Sequence, residues 1–385
     1  MDKRIFGVSA IALFAGTAHA QSSVTLYGLV DEGISYISND HGHANWTNTS
    51  GVLQGSRWGL RGAEDLGSGL KAVFVLENGF SAANGSLALN RMFARQSYVG
   101  ISSDKYGTVT LGRQYESIVD YVQPVNSGNV YIGVGHPFDN DDLINSFHIN
   151  NSVKYASPNI RGFTFGGLYG FSNAASNADG TGSGFASNRA WSLGAAYQGG
   201  GFQFGAGYFR LSTPNETTVG AIQGDYLNLS TTSALGPLGL TTPVKRQENI
   251  GAGASYTISS VKVSFVYTHS KFDTSNDSLT FSNYDVNVGY YFRPNIFFGG
   301  SYVFTDGHLK ASGAEPKYHQ IGLIANYFLT KRTDLYLLGV YQRAAGDAPF
   351  ASIAPDSYGA GGSFAPDAST SKNQTLIRIG MRHKF

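Results

Sequence analysis

Polar and apolar residues alternate along many short stretches of the chain. In residues 261–268, valine, phenylalanine and tyrosine occupy the odd positions, while lysine, serine and threonine lie on the other face. In residues 282–291, two valines lie between two tyrosines on one face, opposite asparagine and aspartate. Because side chains alternate across a strand, each stretch predicts a β-strand with one apolar and one polar face. Tyrosines at both ends of an apolar face suit a strand that ends in two headgroup layers.

Such segments are separated by Gly, Asn, Asp and Ser residues, and the connections alternate in length. Long connections lie near 38–54, 115–150, 211–247 and 343–372. The pattern predicts an all-β fold, an antiparallel transmembrane β-barrel of about 16 strands with short periplasmic turns and long extracellular loops. A barrel of this size leaves an open aqueous lumen. The predicted strands lie near 23–37, 55–64, 69–80, 91–102, 107–114, 151–157, 162–172, 188–198, 201–211, 248–257, 261–271, 281–292, 296–305, 317–328, 334–343 and 373–385.

The N-terminal residues depart from this pattern. Lys3 and Arg4 precede an apolar stretch, which is followed by a small-x-small motif that ends at Ala20. This arrangement predicts a signal peptide at 1–20 and a mature barrel at 21–385. A membrane-anchor helix is the alternative, but it needs a longer apolar span.

Composition narrows the possible functions. The chain has 50 Gly, 23 Tyr and 25 Phe, but only 27 Lys+Arg and 26 Asp+Glu. This is rich in turn formers and aromatics and low in charge, unlike a helical enzyme. The near balance of charge argues against a nucleic-acid partner. The absence of Cys excludes disulfides and thiolate metal sites, and no cofactor is indicated.

Several segments, in this order and spacing, carry a family resemblance. They are SSVTLYGLVDEG at 22–33, GSRWGLRGAEDLGSGLKAVFVLE at 55–77, RQSYVGI at 95–101, YGTVTLGRQY at 106–115, HPFDNDD at 136–142, NNSVKYASP at 150–158 and RIGMRHKF at 378–385. Over essentially the whole mature chain, the sequence resembles the trimeric general porins of Gram-negative outer membranes. The resemblance implies a homotrimer among outer-membrane lipids and lipopolysaccharide. Ions and small hydrophilic solutes would diffuse through it passively.

The last strand ends in an aromatic residue, Phe385. A terminal aromatic of this kind resembles the signal that the barrel-assembly machinery reads in outer-membrane proteins. An ordinary amphipathic edge strand is the alternative, although closure against the first strand would remove that edge.

The connection at 115–150 is longer than a strand reversal needs. In the resembled family this loop folds into the lumen and narrows it. No Lys or Arg occurs between residues 114 and 153. We therefore expect the loop to bring negative charge into the pore, although a solvated extracellular loop is the alternative. Its acidic residues are Glu116, Asp120, Asp139, Asp141 and Asp142.

A basic wall is expected to face this loop. Arg57 and Arg61 alternate with apolar residues, and an arginine facing hydrocarbon would cost ~2–4 kcal/mol at the midplane, so both should face the lumen. By alternation Lys154 also faces the lumen. Arg95 and Arg113 match positions that line the constriction in the resembled family.

For Arg113 the pattern gives a different face, because strict alternation groups it with Val109 and Leu111. Either a bulge redirects its side chain or this strand faces a protein interface.

The chain departs from the resembled family at two positions. His148 stands where family members often carry arginine, and a histidine is mostly neutral at pH 7. This weakens the basic wall and favours a weak preference for cations. Phe138 replaces a residue that is usually small, and we expect it to narrow the pore. Opposed charges at the constriction would focus a transverse field there and set ion preference.

Three other functions would fit parts of the sequence. An outer-membrane enzyme could use His136, His148, Asp139 or Ser146, but the sequence has no GxSxG or HExxH motif. A TonB-type transporter would need a plug domain and a larger barrel. A substrate-specific channel would carry a row of aromatics along the pore. This alternative stays open, because alternation does not distinguish every lumenal tyrosine from those of the membrane interface.

Overall fold

Almost all of the regular structure is β-strand. The computed structural model describes residues 23–126, 132–146, 148–174, 184–215, 217–226, 235–354 and 369–385, so the predicted signal peptide at 1–20 lies outside the described residues. Among the residues that it does describe, no helix has the length and apolar character to cross a membrane. The strands are β1 (Ser23–Asp40), β2 (His43–Ser50), β3 (Arg57–Gly67), β4 (Leu70–Gly79), β5 (Gln96–Ser103), β6 (Gly107–Gln114), β7 (Ile149–Ala156), β8 (Phe163–Gly170), β9 (Arg189–Gly199), β10 (Phe202–Ser212), β11 (Arg246–Ile258), β12 (Val261–Asp273), β13 (Ser278–Arg293), β14 (Ile296–Leu309), β15 (Pro316–Phe328), β16 (Thr333–Gly346) and β17 (Asn373–Lys384).

The strands form one closed antiparallel sheet. From β3 onward each strand pairs with the next, and β17 returns to pair with β1, with Leu29 opposite Lys384. The first part of β1 pairs with β3 and its last part pairs with β2. Because β2 and β3 are two segments of one crossing, the 17 strands form a closed 16-stranded barrel. The predicted fold class is confirmed.

One predicted loop is a strand instead. Residues 43–50 were expected within the connection 38–54, but they form β2 and pair with the end of β1. The turn between them contains His41 and Gly42, both with positive φ (52° and 94°). Two positive φ angles match the twist of a tight hairpin, so the hairpin continues further than the predicted strand.

Between β2 and β3, residues 51–56 leave the wall and enter the lumen; we call them the inward segment. The Asp31 carboxylate accepts hydrogen bonds from the backbone N–H groups of Leu53 (2.8 Å) and Gln54 (3.0 Å). Val52 and Leu53 are buried in an apolar cluster that also contains Ile132. Apolar packing and a buried carboxylate thus hold this segment inside the barrel.

The described residues of the connection between β6 and β7, 115–126, 132–146 and 148, also lie inside; we call them the third loop. It begins with a turn of helix, Ile118–Val122, that packs on β9, β10 and β11. A Cβ at Gly205 of β10 would lie 1.8 Å from the carbonyl oxygen of Tyr121, so only glycine admits this approach. Further along, the Gln320 side chain of β15 donates to the Gly135 carbonyl (3.1 Å). The third loop therefore follows the inner wall from β9 to β15.

Candidate functional site

The acidic residues of the third loop are mostly buried in its own packing. Glu116 is 1% exposed, and its carboxylate accepts the N–H groups of Ile118 (2.6 Å) and Val119 (2.9 Å). Burial raises the pKa of Glu116 to about 8. This side chain caps the helical turn and does not face open solvent.

Asp139 and Asp142 have the same structural character. The Asp139 carboxylate is fully buried and accepts the N–H groups of Ile144 and Ser146, both at 3.0 Å. Burial, followed by the charge of Asp141, raises the pKa of Asp139 to about 7. Asp142 is also fully buried and accepts the Ser146 hydroxyl (3.4 Å). Both aspartates shape the loop.

Asp141 fastens the loop to the barrel. Its carboxylate pairs with His136 Nδ1 (2.6 Å) and accepts the Thr268 hydroxyl of β12. His136 Nε2 lies 3.5 Å from Asp285 of β13. Burial alone would lower the pKa of His136, but the two carboxylates raise it to about 10. Burial alone would raise the pKa of Asp141, but His136 lowers it below its usual range. We call this group, His136, Asp141, Thr268 and Asp285, the anchor cluster.

Asp120 is the most exposed of the five acidic residues, at 23% of its side chain. It forms an ion pair with Lys154 of β7, whose ammonium also donates to the Tyr115 carbonyl (3.0 Å). The two predicted residues Asp120 and Lys154 therefore meet, but they neutralise each other. The third loop presents the neutral side chains of Gln123 and Asn145 to the open lumen.

A cavity of about 310 Å³ lies between the third loop, the inward segment and the inner wall. Four basic side chains line it, and no carboxylate of the described residues does. Arg57 and Arg95 were expected here from the sequence, whereas Arg382 and Lys384 of β17 were not. Alternation along β17 could have indicated both, because they lie on the same face as Arg378. We call these four residues, Arg57, Arg95, Arg382 and Lys384, the basic cluster.

Two carboxylates balance the basic cluster from behind the cavity wall. Glu77 is 5% exposed and accepts hydrogen bonds from Arg95 Nε (2.9 Å) and the Tyr115 hydroxyl (3.0 Å). Asp334 is 2% exposed and accepts Arg382 Nε (3.1 Å). The four cations therefore border the cavity, while the carboxylates of Glu77 and Asp334 do not line it.

Arg61 and Arg113 lie outside the cavity. Arg61 is exposed, and its guanidinium lies 5.3 Å from the centre of the Tyr27 ring. At Arg113 the pairing of β6 with β7 shifts register between Gly112 and Gln114. This is a β-bulge, the first of the two explanations that the sequence offers for Arg113. The bulge directs the Arg113 guanidinium to Asp225, with which it forms a buried ion pair.

His148 and Phe138 are buried and do not border the cavity. Burial lowers the pKa of His148 to about 4, so it is neutral at pH 7 and adds no charge. Its ring lies 5.2 Å from that of Tyr115. Phe138 packs edge-on against Tyr318 and Phe350, between the loop and the wall. The structure therefore gives no support to a pore narrowed directly by Phe138.

No group of three His, Asp or Glu side chains among the described residues is arranged to hold a metal ion. The residues around the cavity form a passage lined by fixed cations. Such a passage can sort solutes by size and charge.

Comparison with known proteins decides the family. Residues 7–349 match the family model described as Gram-negative porin. The chain belongs to the Gram-negative porin family. This porin is 30% identical to an outer membrane porin protein of Bordetella pertussis and 31% identical to outer membrane porin protein 32 of Delftia acidovorans. Both alignments cover 100% of each chain.

The porin is also similar to solved structures. An anion-selective porin from Comamonas acidovorans matches with a TM-score of 0.72 and 25% identity, over 95% of this chain and 100% of that one. OmpT of Vibrio cholerae matches with a TM-score of 0.67 at 13% identity, over 96% of this chain and 100% of that one, which shows the fold alone. The protein is a passive diffusion channel of the Gram-negative outer membrane, and the enzyme alternative is excluded.

Proposed function

We propose that this porin passes ions and small hydrophilic solutes with a preference for anions. The observation that carries the proposal is the basic cluster, which borders the cavity, while every described loop residue that lines it has a neutral side chain. Low-dielectric walls focus the field of such fixed charges at the narrowest section. This replaces the weak cation preference expected from His148. The similar structure from Comamonas acidovorans is itself described as anion-selective.

The acidic residues of the third loop have a different role in this proposal. Glu116, Asp139, Asp141 and Asp142 hold the loop in place, and Asp120 is neutralised by Lys154. The proposed channel therefore has no transverse field between an acidic loop and a basic wall. The potential at its constriction is positive. Arg61 would act outside the cavity, as an attractor of anions.

The test is planar-bilayer recording under a salt gradient. The unmodified porin should show a reversal potential of the anion-selective sign. The double variant Arg57→Gln, Lys384→Gln removes two of the four lining cations and should lower the anion-to-cation permeability ratio about threefold. Arg343→Gln is the control, because Arg343 is exposed on the outward face of β16. A cation-selective reversal potential in the unmodified porin would refute the proposal.

We infer that the porin assembles as a homotrimer. The strands β5 to β8 have 8 residues each, whereas β13 has 16, so the barrel wall is shorter on the side of β5 to β8. Its outward face carries exposed Val99 and Leu111, and a low apolar wall suits contact with another barrel. Current steps in groups of three would support a trimer, and a monomeric mass in native mass spectrometry would contradict it.

We infer lipopolysaccharide contact at the rim that bears the long loops. Arg210, Arg246 and Lys271 lie on the outward faces of adjacent strands, and each is more than one-third exposed. They share the carboxylates of Glu248 and Asp273, so positive charge remains for lipid phosphates. Replacing the three by Gln should reduce co-purified lipopolysaccharide; an unchanged amount would remove this surface from consideration.

Export and assembly complete the proposal. Cleavage after Ala20 would leave a mature chain of residues 21–385, which N-terminal sequencing of the membrane protein would test. Phe385 exchanges backbone hydrogen bonds with Gly28 (3.0 and 3.1 Å), so the last residue closes the sheet. Its recognition by the barrel-assembly machinery predicts less assembled barrel in Phe385→Ser, measured in outer-membrane fractions. Phe292→Ser, at an exposed position near the end of β13, is the control.

A further inference from the structure

Four aromatic side chains line the same cavity as the basic cluster, and three of them, which exclude Tyr115, lie together on the wall of the barrel. The ring of Tyr291 lies 4.9 Å from that of Phe297 and 6.2 Å from that of Phe328, centre to centre. Tyr291 and Phe328 are nearly parallel, at 27°. We call Tyr291, Phe297 and Phe328 the aromatic patch.

The exposed part of this patch faces the lumen. Phe297 is 2% exposed and supports the other rings from beneath, whereas Tyr291 is 43% exposed. The neighbouring Tyr290 is 39% exposed but lies on the outward face, paired with the exposed Phe298 of β14. Tyr291 therefore offers an aromatic surface to water in the channel. Such a surface gains by stacking with another ring.

The patch and the basic cluster occupy adjoining sides of one cavity. The patch lies on β13, β14 and β15, and Asn326 and Arg382 lie between it and the inward segment. Arg382 Nη1 donates to Gln54 Oε1 (3.0 Å), which fixes the guanidinium at this border. A cavity of about 150 Å³ holds a benzene ring, so about 310 Å³ accommodates a ring together with a charged group.

We propose that this cavity binds aromatic carboxylates, and that the porin favours their passage over that of other small anions. The carboxylate lies among Arg57, Arg382 and Lys384, and the ring stacks on Tyr291. This inference rests on the proposed anion preference and extends it from charge to solute shape. Inorganic anions use the basic cluster alone and gain nothing from the rings.

A sugar-conducting channel would need a different arrangement. Sugars would call for a row of aromatics along the length of the pore. Here the three rings form one patch, on one side and at one depth, next to a concentration of positive charge. A single ring with one acidic group matches that arrangement.

The test measures block of chloride current through the purified porin in planar bilayers. Sodium benzoate should reduce the current with a half-blocking concentration about tenfold lower than that of sodium acetate. Cyclohexanecarboxylate has the same charge and a similar size without the π system, and it should require about threefold more than benzoate. Benzyl alcohol, which is aromatic but uncharged, should not block in the same range.

Variants locate the site. Tyr291→Leu should raise the half-blocking concentration of benzoate about fivefold and leave that of acetate and the chloride reversal potential unchanged. Tyr290→Leu, the same change on the outward face, should alter none of these values.

The inference is overturned if benzoate, cyclohexanecarboxylate and acetate block alike in the unmodified porin, a comparison that depends on no variant folding. It is equally overturned if Tyr291→Leu leaves benzoate block unchanged. Either result could occur with an anion-selective reversal potential, and the proposed anion preference would then stand. A cation-selective reversal potential would instead refute the proposed function itself.

Discussion

Two sides of the lumen carry many charged residues, yet they use them differently. On the side of β12 and β13, the anchor cluster joins the third loop to the wall, and its charged groups are buried. On the side of β3, β5 and β17, the basic cluster borders an open cavity, and its counter-charges lie behind the wall. The first arrangement holds the third loop in place, and the second gives the constriction its positive charge.

The difference shows that a charge in a pore-forming loop need not be a charge in the pore. A buried carboxylate is tolerated only when hydrogen bonds or an opposite charge compensate its desolvation. The backbone N–H groups of the third loop and His136 provide this compensation. Once compensated, these carboxylates contribute stability to the loop and little to the field that a passing ion meets.

The largest effect is expected from breaking the anchor side. Asp141→Ala leaves His136 without its nearest partner and removes the acceptor of the Thr268 hydroxyl. Loss of one partner from a buried pair costs about 3–5 kcal/mol. We expect a matching fall in the free energy of unfolding, measured by denaturant titration in vesicles, together with more frequent channel closures.

The matched control is Asp306→Ala. Asp306 is a half-exposed residue of β14 that lies 3.7 Å from Lys317, so its replacement should cost less than about 1 kcal/mol. Equal losses in the two variants would contradict the role of the anchor cluster.

A smaller effect is expected from alkaline pH. In the folded chain the pKa of Glu116 is raised to about 8 and that of His136 to about 10. A raised pKa stabilises the fold below the ordinary value, and this stabilisation is lost as pH rises through the folded value. The Glu116 shift therefore weakens the loop as pH rises to about 8, and the His136 shift weakens it from about pH 7 to about pH 10.

The measurement is the unfolding midpoint and closure frequency over the same pH range. His136→Gln should be less stable at pH 7 and should lose the part of the pH dependence above about pH 8. A stability that rises with pH over this range would contradict the assigned shifts.

The smallest effect is expected from a change in the third loop that tests directly whether its acidic residues carry charge into the pore. Glu116→Gln keeps the shape of a side chain that is buried and neutral below about pH 8. We expect a loss of about 1 kcal/mol from a weakened cap, with no change in reversal potential. A shift toward anions would mean that Glu116 contributes charge to the pore after all.

Much of the barrel could be predicted from alternation, because membrane and lumen impose opposite polarity on the two faces of each strand. The same rule placed Arg57 in the lumen. It did not predict β2, because that segment follows a tight turn inside a connection that looked long. It left two explanations open for Arg113, because a bulge changes the face of a strand without a distinctive sequence.

The site was harder to predict than the barrel. The acidic residues 116–142 were visible in the sequence, but their burial depends on where the loop folds back on the wall. Arg382 and Lys384 lie on the polar face of the terminal strand, but the sequence does not show that this end of β17 borders the constriction. Alternation along β13 places Tyr291 on the lumenal face, but its contact with Phe297 follows from the pairing of β13 with β14, which the sequence alone does not reveal.

The seam between β1 and β17 has a consequence for biogenesis. Asp31, which holds the inward segment, also accepts the Tyr336 hydroxyl (2.5 Å) and lies 3.8 Å from Arg378 of the last strand. Arg382 and Lys384 lie on the same strand. A nascent barrel whose last strand has not docked therefore lacks half of its basic cluster and the support of its inward segment. We expect the channel to become ion-selective in the same step in which β17 pairs with β1 and closes the barrel. An incompletely closed porin would conduct ions without selectivity.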